Sequence, residues 1–210
     1  MNRGRLVAFE GGEGCGKSTQ ARLLAEHLGA VLTHEPGGTA LGARLRDLLL
    51  EPVHGPVGPR TEALLMAADR AQHVSELIRP ALGRGDDVVT DRFVGSSLAY
   101  QGYGRGLPLD AVRALSAWAT DGVTADLVVL LDVPAGVAAS RAGAPGDRFE
   151  VAGEDFHGRV LAGFADLSAA DPERWEVLDG TGTVEDVAAA VREVVARRLG
   201  HASPAGGTGR

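Results

Sequence analysis

One short stretch limits the possible folds of this chain more than any other. Gly11-Gly12-Glu13-Gly14-Cys15-Gly16-Lys17-Ser18 satisfies G-x-x-x-x-G-K-[ST] at every fixed position, and Lys17 is the only lysine in the sequence. A loop that cradles phosphates needs a compact ammonium here, on a flexible stem that reaches the β- and γ-phosphates. Its glycines let the backbone fold back so that N–H groups face an anion, and the helix that follows turns its positive end to the same place. Ser18 then becomes a candidate ligand of Mg²⁺, and Gly11 through Thr19 become the candidate segment for binding a nucleoside triphosphate. The motif has force only between a strand and a helix, and both are expected. Leu6-Val7-Ala8-Phe9 is an apolar run of the buried parallel-strand kind. Ala21, Leu24, Ala25 and Leu28 repeat at the spacing of one helix face, and Gly29 reads as the stop.

The same reading extends down the chain. Val31-Leu32-Thr33-His34 predicts a second strand, broken by Glu35-Pro36-Gly37-Gly38-Thr39. Thr39 reads as the cap of a helix to Leu50, with Leu41, Leu45, Leu48 and Leu49 turned inward. Prolines mark 52–59 as a loop. A long helix is expected from about Arg60 to Leu82, with Leu64, Leu65, Ala68, Ala71, Val74, Leu77 and Ile78 as its buried stripe and Pro80 kinking or ending it. Asp87-Val88-Val89-Thr90 predicts a third strand that delivers Asp91 and Arg92 at its carboxyl end, where open α/β sheets bind ligands. Leu127 to Asp132 and Trp175 to Leu178 complete five strands, and helices are expected over Leu109–Thr120, Pro134–Arg141, Asp155–Ala170 and Val184–Leu199. The expected fold is therefore α/β, a five-stranded, mainly parallel sheet with helices on both faces. Residues 1–200 read as one domain with a glycine-rich lid around 141–150, and 201–210 as a disordered tail.

Composition narrows the function. With 210 residues and 44% hydrophobic content, one domain can bury an adequate core. A net charge of −7 argues against a nucleic-acid coat or a polybasic membrane surface. A single cysteine, Cys15, rules out an internal disulfide and a thiolate zinc site; beside Gly16 it reads as a small filler. With no leader pattern and no apolar run of membrane-spanning length, a soluble cytoplasmic protein is expected. Asn2 is the only asparagine, so the Asn-Lys-x-Asp segment with which many GTPases read guanine cannot occur.

The arginines point to a second anion. Arg46, Arg70 and Arg92 lie on separate elements that a parallel sheet can bring to one cleft, and Arg141 and Arg148 flank the lid. Two phosphates that react with each other repel, and guanidinium forks offset that repulsion with directional, bidentate hydrogen bonds.

At this point the chain resembles the bacterial thymidylate kinases, a family of P-loop nucleoside monophosphate kinases, from Leu6 to about Leu199. The shared stretches are Phe9-Glu10-Gly11-Gly12-Glu13-Gly14 leading into Gly16-Lys17-Ser18-Thr19, Glu35-Pro36-Gly37-Gly38-Thr39, Ala67-Ala68-Asp69-Arg70-Ala71-Gln72-His73, Asp91-Arg92-Phe93, Ser96-Ser97-Leu98-Ala99-Tyr100-Gln101-Gly102 and Asp147-Arg148-Phe149-Glu150. The resemblance implies phosphoryl transfer from ATP to dTMP with Mg²⁺, by a homodimer packed through long helices. It implies Glu13 at the deoxyribose 3′-hydroxyl, Arg46, Arg70 and Arg92 around the dTMP phosphate, and Asp91 near the metal. Ser97 and Gln101 fall in the thymine region, and Tyr100 where a ribose 2′-hydroxyl would sit. Met66 stands where the family usually stacks an aromatic ring on thymine. Gly14 and Cys15 stand where one branch carries a loop arginine, so the transition-state arginine is expected from the lid, as Arg141 or Arg148. Two other readings stay open on the residues alone: a kinase for another monophosphate such as dUMP or a purine nucleotide, and a regulatory P-loop ATPase with no acceptor.

Overall fold

The computed structural model describes residues 3–51, 55–141, 148–149 and 152–200. The tail 201–210 and the core of the expected lid, 142–147, lie outside the described residues.

Five strands, β1 (Leu6–Glu10), β2 (Val31–His34), β3 (Val88–Asp91), β4 (Leu127–Asp132) and β5 (Trp175–Asp179), form one sheet in the order β2-β3-β1-β4-β5. Every adjacent pair is parallel, so the sheet is wholly rather than mainly parallel. β1 lies at its centre and is buried along its full length, as a strand covered on both faces must be. The alternation of its side chains sorts two layers. Val7 and Phe9 face one way, with Val89, Leu127, Val129 and Leu131, and pack under helices α1 (Lys17–Leu28) and α9 (Val184–Leu199). Leu6 and Ala8 face the other way, with Val88, onto Val74, Ile78, Ala81 and Leu82. On that side Leu130 meets Phe156, Val160 and Phe164 of helix α8 (Glu154–Ala170).

The expected long helix is a run of three pieces. α3 (Pro59–His73) passes through a π-helical turn, Val74–Ile78, into α4 (Arg79–Arg84), which ends at Gly85 in the left-handed conformation. Pro80 neither ends nor breaks the run, because it sits in the first turn of α4, where its missing N–H costs least. The expected apolar stripe is corrected. Leu64 is 59% exposed, and the buried face of α3 carries Glu62, Ala63, Ala67, Asp69, Arg70 and His73. In α2 (Ala40–Leu50), capped by the Thr39 hydroxyl accepting from the Gly42 N–H at 3.0 Å, Leu49 is buried but Leu41 and Leu48 are exposed.

After β3 the chain enters a short helix, α5 (Val94–Ser97), then a π-helical segment, Leu98–Gly104, that sequence periodicity did not indicate. α6 (Leu109–Thr120) and α7 (Ala135–Arg141) complete the helices among the described residues. The loops leaving β1, β2, β3 and β5 all emerge at the carboxyl edge of the sheet, where β1 has β3 on one side and β4 on the other.

Candidate active site

The loop after β1 is shaped by glycine where no other residue fits. Gly11 and Gly14 have φ of 142° and 71°. A Cβ at Gly14 would stand 2.4 Å from the Ala138 carbonyl, and one at Gly11 2.8 Å from that of Leu131. Gly16 precedes α1 in the left-handed conformation and provides no side-chain cap, so the first-turn N–H groups of the helix are turned to the loop. Lys17 is buried with its ammonium donating to the Gly12 carbonyl at 2.6 Å and lying 3.5 Å from Cys15 Sγ. The Ser18 hydroxyl donates to Asp91 Oδ2, while Asp91 Oδ1 is buried with no hydrogen-bond partner. A hydroxyl beside a carboxylate with a spare oxygen suits a hard cation that keeps waters and phosphate oxygens as its other ligands. No group of three His, Cys, Asp or Glu side chains among the described residues forms an all-protein cage.

Two cavities open along this edge. The larger, about 960 Å³, runs from the loop past Ser18 and Asp91 to Thr183, Val184 and Arg141. The smaller, about 90 Å³, is lined by every residue expected to hold the acceptor: Glu13, Arg46, Met66 and Arg70, and from the β3–α6 region Arg92, Ser97, Tyr100 and Gln101. Glu13, Glu35, Arg46 and Arg92 line both.

The shared wall is electrostatically organised. Arg92 adopts φ 74°, a left-handed backbone that a bulky residue takes only when its surroundings impose it. Its guanidinium donates to Glu13 Oε1 at 2.6 Å, to Ser96 Oγ at 3.2 Å and to the Gly11 carbonyl at 3.3 Å, and lies 5.1 Å from the centre of the Tyr100 ring. The Tyr100 hydroxyl donates to the same Glu13 oxygen at 2.7 Å. Burial works against the charge of Glu13, yet Arg92, then Lys17, then the hydroxyl of Tyr100 outweigh it and hold its pKa down to about 2. Burial and the Glu13 charge push the Tyr100 hydroxyl well above its ordinary range against the pull of Arg92, so it remains a donor. Arg46 donates to the Pro36 carbonyl at 2.9 Å.

Arg70 sits deeper. Its Nε donates to Glu35 at 2.8 Å, and its two terminal nitrogens donate to Ser97 Oγ and the Phe93 carbonyl at 2.9 Å each. Glu35 also receives His73 Nδ1 at 2.9 Å, whose other nitrogen meets Thr33 Oγ1 at 2.7 Å. Asp69, whose carboxyl is pushed up by burial and the Glu35 charge, accepts from the Gly37 N–H at 3.0 Å and supports the turn that carries Arg46's partner. Glu10, fully buried at the end of β1, accepts from the N–H groups of Phe93 and Ser96. Glu35, His73 and Glu10 stand inside stretches shared with the family, yet sequence reasoning assigned them no role. The available signal was an acidic residue ending an otherwise apolar central strand.

The two arginines expected from a lid part company. Arg141 lines the larger cavity and donates to the carbonyls of Gly180 and Thr181 at 2.7 and 3.0 Å. Arg148 lines neither cavity; it lies 3.8 Å from Glu62, and its Nε and one terminal nitrogen are buried without a hydrogen bond.

A parallel sheet with a phosphate loop after its central strand, and two cavities that share an arginine wall, define a P-loop nucleotide kinase. The thymidylate kinase family model matches residues 9–191. The thymidylate kinase of Bifidobacterium longum (strain DJO10A) is 49% identical over 196 residues, covering 90% of this chain and 95% of that protein. That of Cutibacterium acnes (strain DSM 16379 / KPA171202) is 47% identical over 197 residues, 91% of this chain and 96% of that protein. The crystal structure of thymidylate kinase from Ehrlichia chaffeensis superposes with a TM-score of 0.78 at 31% identity, covering 92% of this chain and 98% of that one. The chain belongs to the thymidylate kinase family.

Proposed function

We propose that this chain transfers the γ-phosphoryl group of ATP to dTMP, yielding ADP and dTDP for dTTP synthesis. The observation that carries this reading is the shared wall: Glu13, Arg46 and Arg92 border both the cavity of the phosphate loop and the small cavity beside it. ATP would lie along the larger cavity with its phosphates on the loop and Lys17. The dTMP phosphate would meet Arg92 and Arg46, and its base would lie between Met66 and the Ser97–Gln101 face.

The acceptor phosphate is mostly dianionic at neutral pH, its second pKa being about 6, so it needs no general base. The protein's work is alignment and charge compensation. Lys17 and the first-turn N–H groups hold the transferred phosphate, while Arg92 turns from Glu13 toward the acceptor. Glu13 is then freed to accept from the 3′-hydroxyl, and Tyr100 fills the space beside it. Ser18 and Asp91 would hold Mg²⁺, which supplies positive charge to the phosphate oxygens when bound. A lid around 141–150, carrying Arg141 and Arg148, would close over the phosphates and exclude water. We also read the chain as one domain over 1–200, cytoplasmic and homodimeric. No helix among the described residues is long and apolar enough to cross a membrane, and exposed Leu64 and Trp118 support packing between long helices.

Calorimetric titration with dTMP, dUMP, ribo-TMP and dGMP, paired with a coupled ADP-release assay, tests the reading. Tightest binding and fastest turnover are expected for dTMP. ATP consumption unchanged by any monophosphate would overturn it.

A further inference from the structure

Glu62 of α3 is fully buried, yet it lines neither cavity itself. It holds three groups. Arg105 donates to it through Nε at 3.1 Å and approaches through a terminal nitrogen at 3.0 Å, Arg148 lies at 3.8 Å, and Gln101 donates through Nε2 at 3.1 Å. The last contact reaches into the acceptor pocket, because Gln101 lines it.

A carboxylate held by arginine only accepts hydrogen bonds, so it can take only the amide nitrogen of Gln101. The amide oxygen is thereby turned away from Glu62. On the same face, one turn earlier, Ser97 accepts from Arg70 at 2.9 Å and keeps its own O–H to donate, and the guanidinium is a donor throughout. The pocket's base end thus combines fixed donors with one fixed acceptor.

Resting on the dTMP reading above, we propose that Glu62 is a specificity-determining positioning residue. By fixing the Gln101 amide it makes the pocket complementary to a pyrimidine edge with a ring N–H beside a carbonyl, and unfavourable to an edge with a bare ring nitrogen beside an amino group. Thymine and uracil carry the first edge. Cytosine carries the second, and would set acceptor against acceptor and donor against donor. A buried polar group left unpaired in this way costs on the order of tenfold or more in binding.

The test is Glu62→Gln. The new amide can face Gln101 in either sense, so the pocket loses its fixed acceptor. With folding verified by circular dichroism, kcat/KM is measured for dTMP, dUMP and dCMP. The dTMP-to-dCMP ratio is expected to fall by roughly tenfold, while the dTMP-to-dUMP ratio stays as in the wild type and Glu62→Asp retains most of the discrimination. An unchanged dTMP-to-dCMP ratio, with all three substrates reduced alike, would overturn the proposal. If Glu62→Gln does not fold, the wild-type protein decides. The side-chain amide protons of Gln101, followed by ¹⁵N NMR, should exchange slowly with and without dTMP, and fast exchange in both states overturns it. Failure of the wild type to phosphorylate dTMP would instead remove the functional reading and leave the amide result standing.

Discussion

Glu10 lies under the turn that carries Arg92, and replacing it by glutamine separates its charge from its shape. Its carboxylate accepts from the Phe93 and Ser96 N–H groups at 3.0 Å and from the Ser96 hydroxyl at 2.5 Å. Burial pushes its pKa from 4.5 up to about 7, more than these hydrogen bonds and the Arg92 charge pull it down. The folded chain therefore holds this proton more tightly than the unfolded chain. The stabilisation is fully present below about pH 4.5 and is lost as pH rises through about 7. At 1.36 kcal/mol per pH unit the whole interval is worth about 3 kcal/mol, of which about 2 kcal/mol disappears between roughly pH 5.5 and 8.5. Glu10→Gln preserves the contacts, since the amide oxygen accepts from both N–H groups and the amide nitrogen donates to Ser96 Oγ. Urea unfolding of both proteins across that pH range should show the wild type losing about 2 kcal/mol more than the variant. If the stability difference between them is the same at both ends of the range, the Glu10 proton is not coupled to folding and the reasoning fails.

Lys17→Ala should leave dTMP affinity within about threefold while reducing turnover by at least about a thousandfold, because only the transferred phosphate loses its ammonium; calorimetry and a coupled assay read the two separately. Arg92→Ala should weaken dTMP binding by about tenfold to a hundredfold and ATP binding far less, and equal loss for both nucleotides in parallel titrations would count against its place at the acceptor. Thr39→Ala removes the hydroxyl that accepts from Gly42 and should cost about 1 kcal/mol in thermal or urea unfolding. Chelation of Mg²⁺ should abolish turnover and leave dTMP titration unchanged, since Ser18 and Asp91 lie on the loop side.

Where burial follows hydrophobic period, the sequence was legible. β2, β4, α6 and α9 begin and end where the pattern of apolar residues places them. The phosphate loop was legible because its motif is one contiguous run of fixed residue types, even though the carbonyls that crowd Gly11 and Gly14, those of Leu131 and Ala138, lie far along the chain. The failures have one physical origin. On α3 the inward face carries Glu62, Asp69, Arg70 and His73, each satisfied or steadied by partners distant in sequence, so the apolar stripe lay partly on the wrong side. Leu41, Leu48 and Leu64 are exposed in the isolated chain for the same reason, since period alone cannot distinguish a core face from one left open. Resemblance named the residues around the acceptor pocket, but it could not reveal Glu10, Glu35 or Glu62. Their roles arise only when strands and helices far apart in sequence close around them.

The wide-wound segment Leu98–Gly104 carries Tyr100 and Gln101 into the acceptor pocket. A winding of this kind holds one residue more per turn than the helix before it. Excising a single residue there would let the coil tighten to the winding of the helix before it, and the side chains inside the segment would be re-aimed about its axis. The hydroxyl that meets Glu13 and the amide that meets Glu62 would then point elsewhere, although neither had been altered. In this family member, the aim of both groups hangs on chain length over a few residues as much as on their identity.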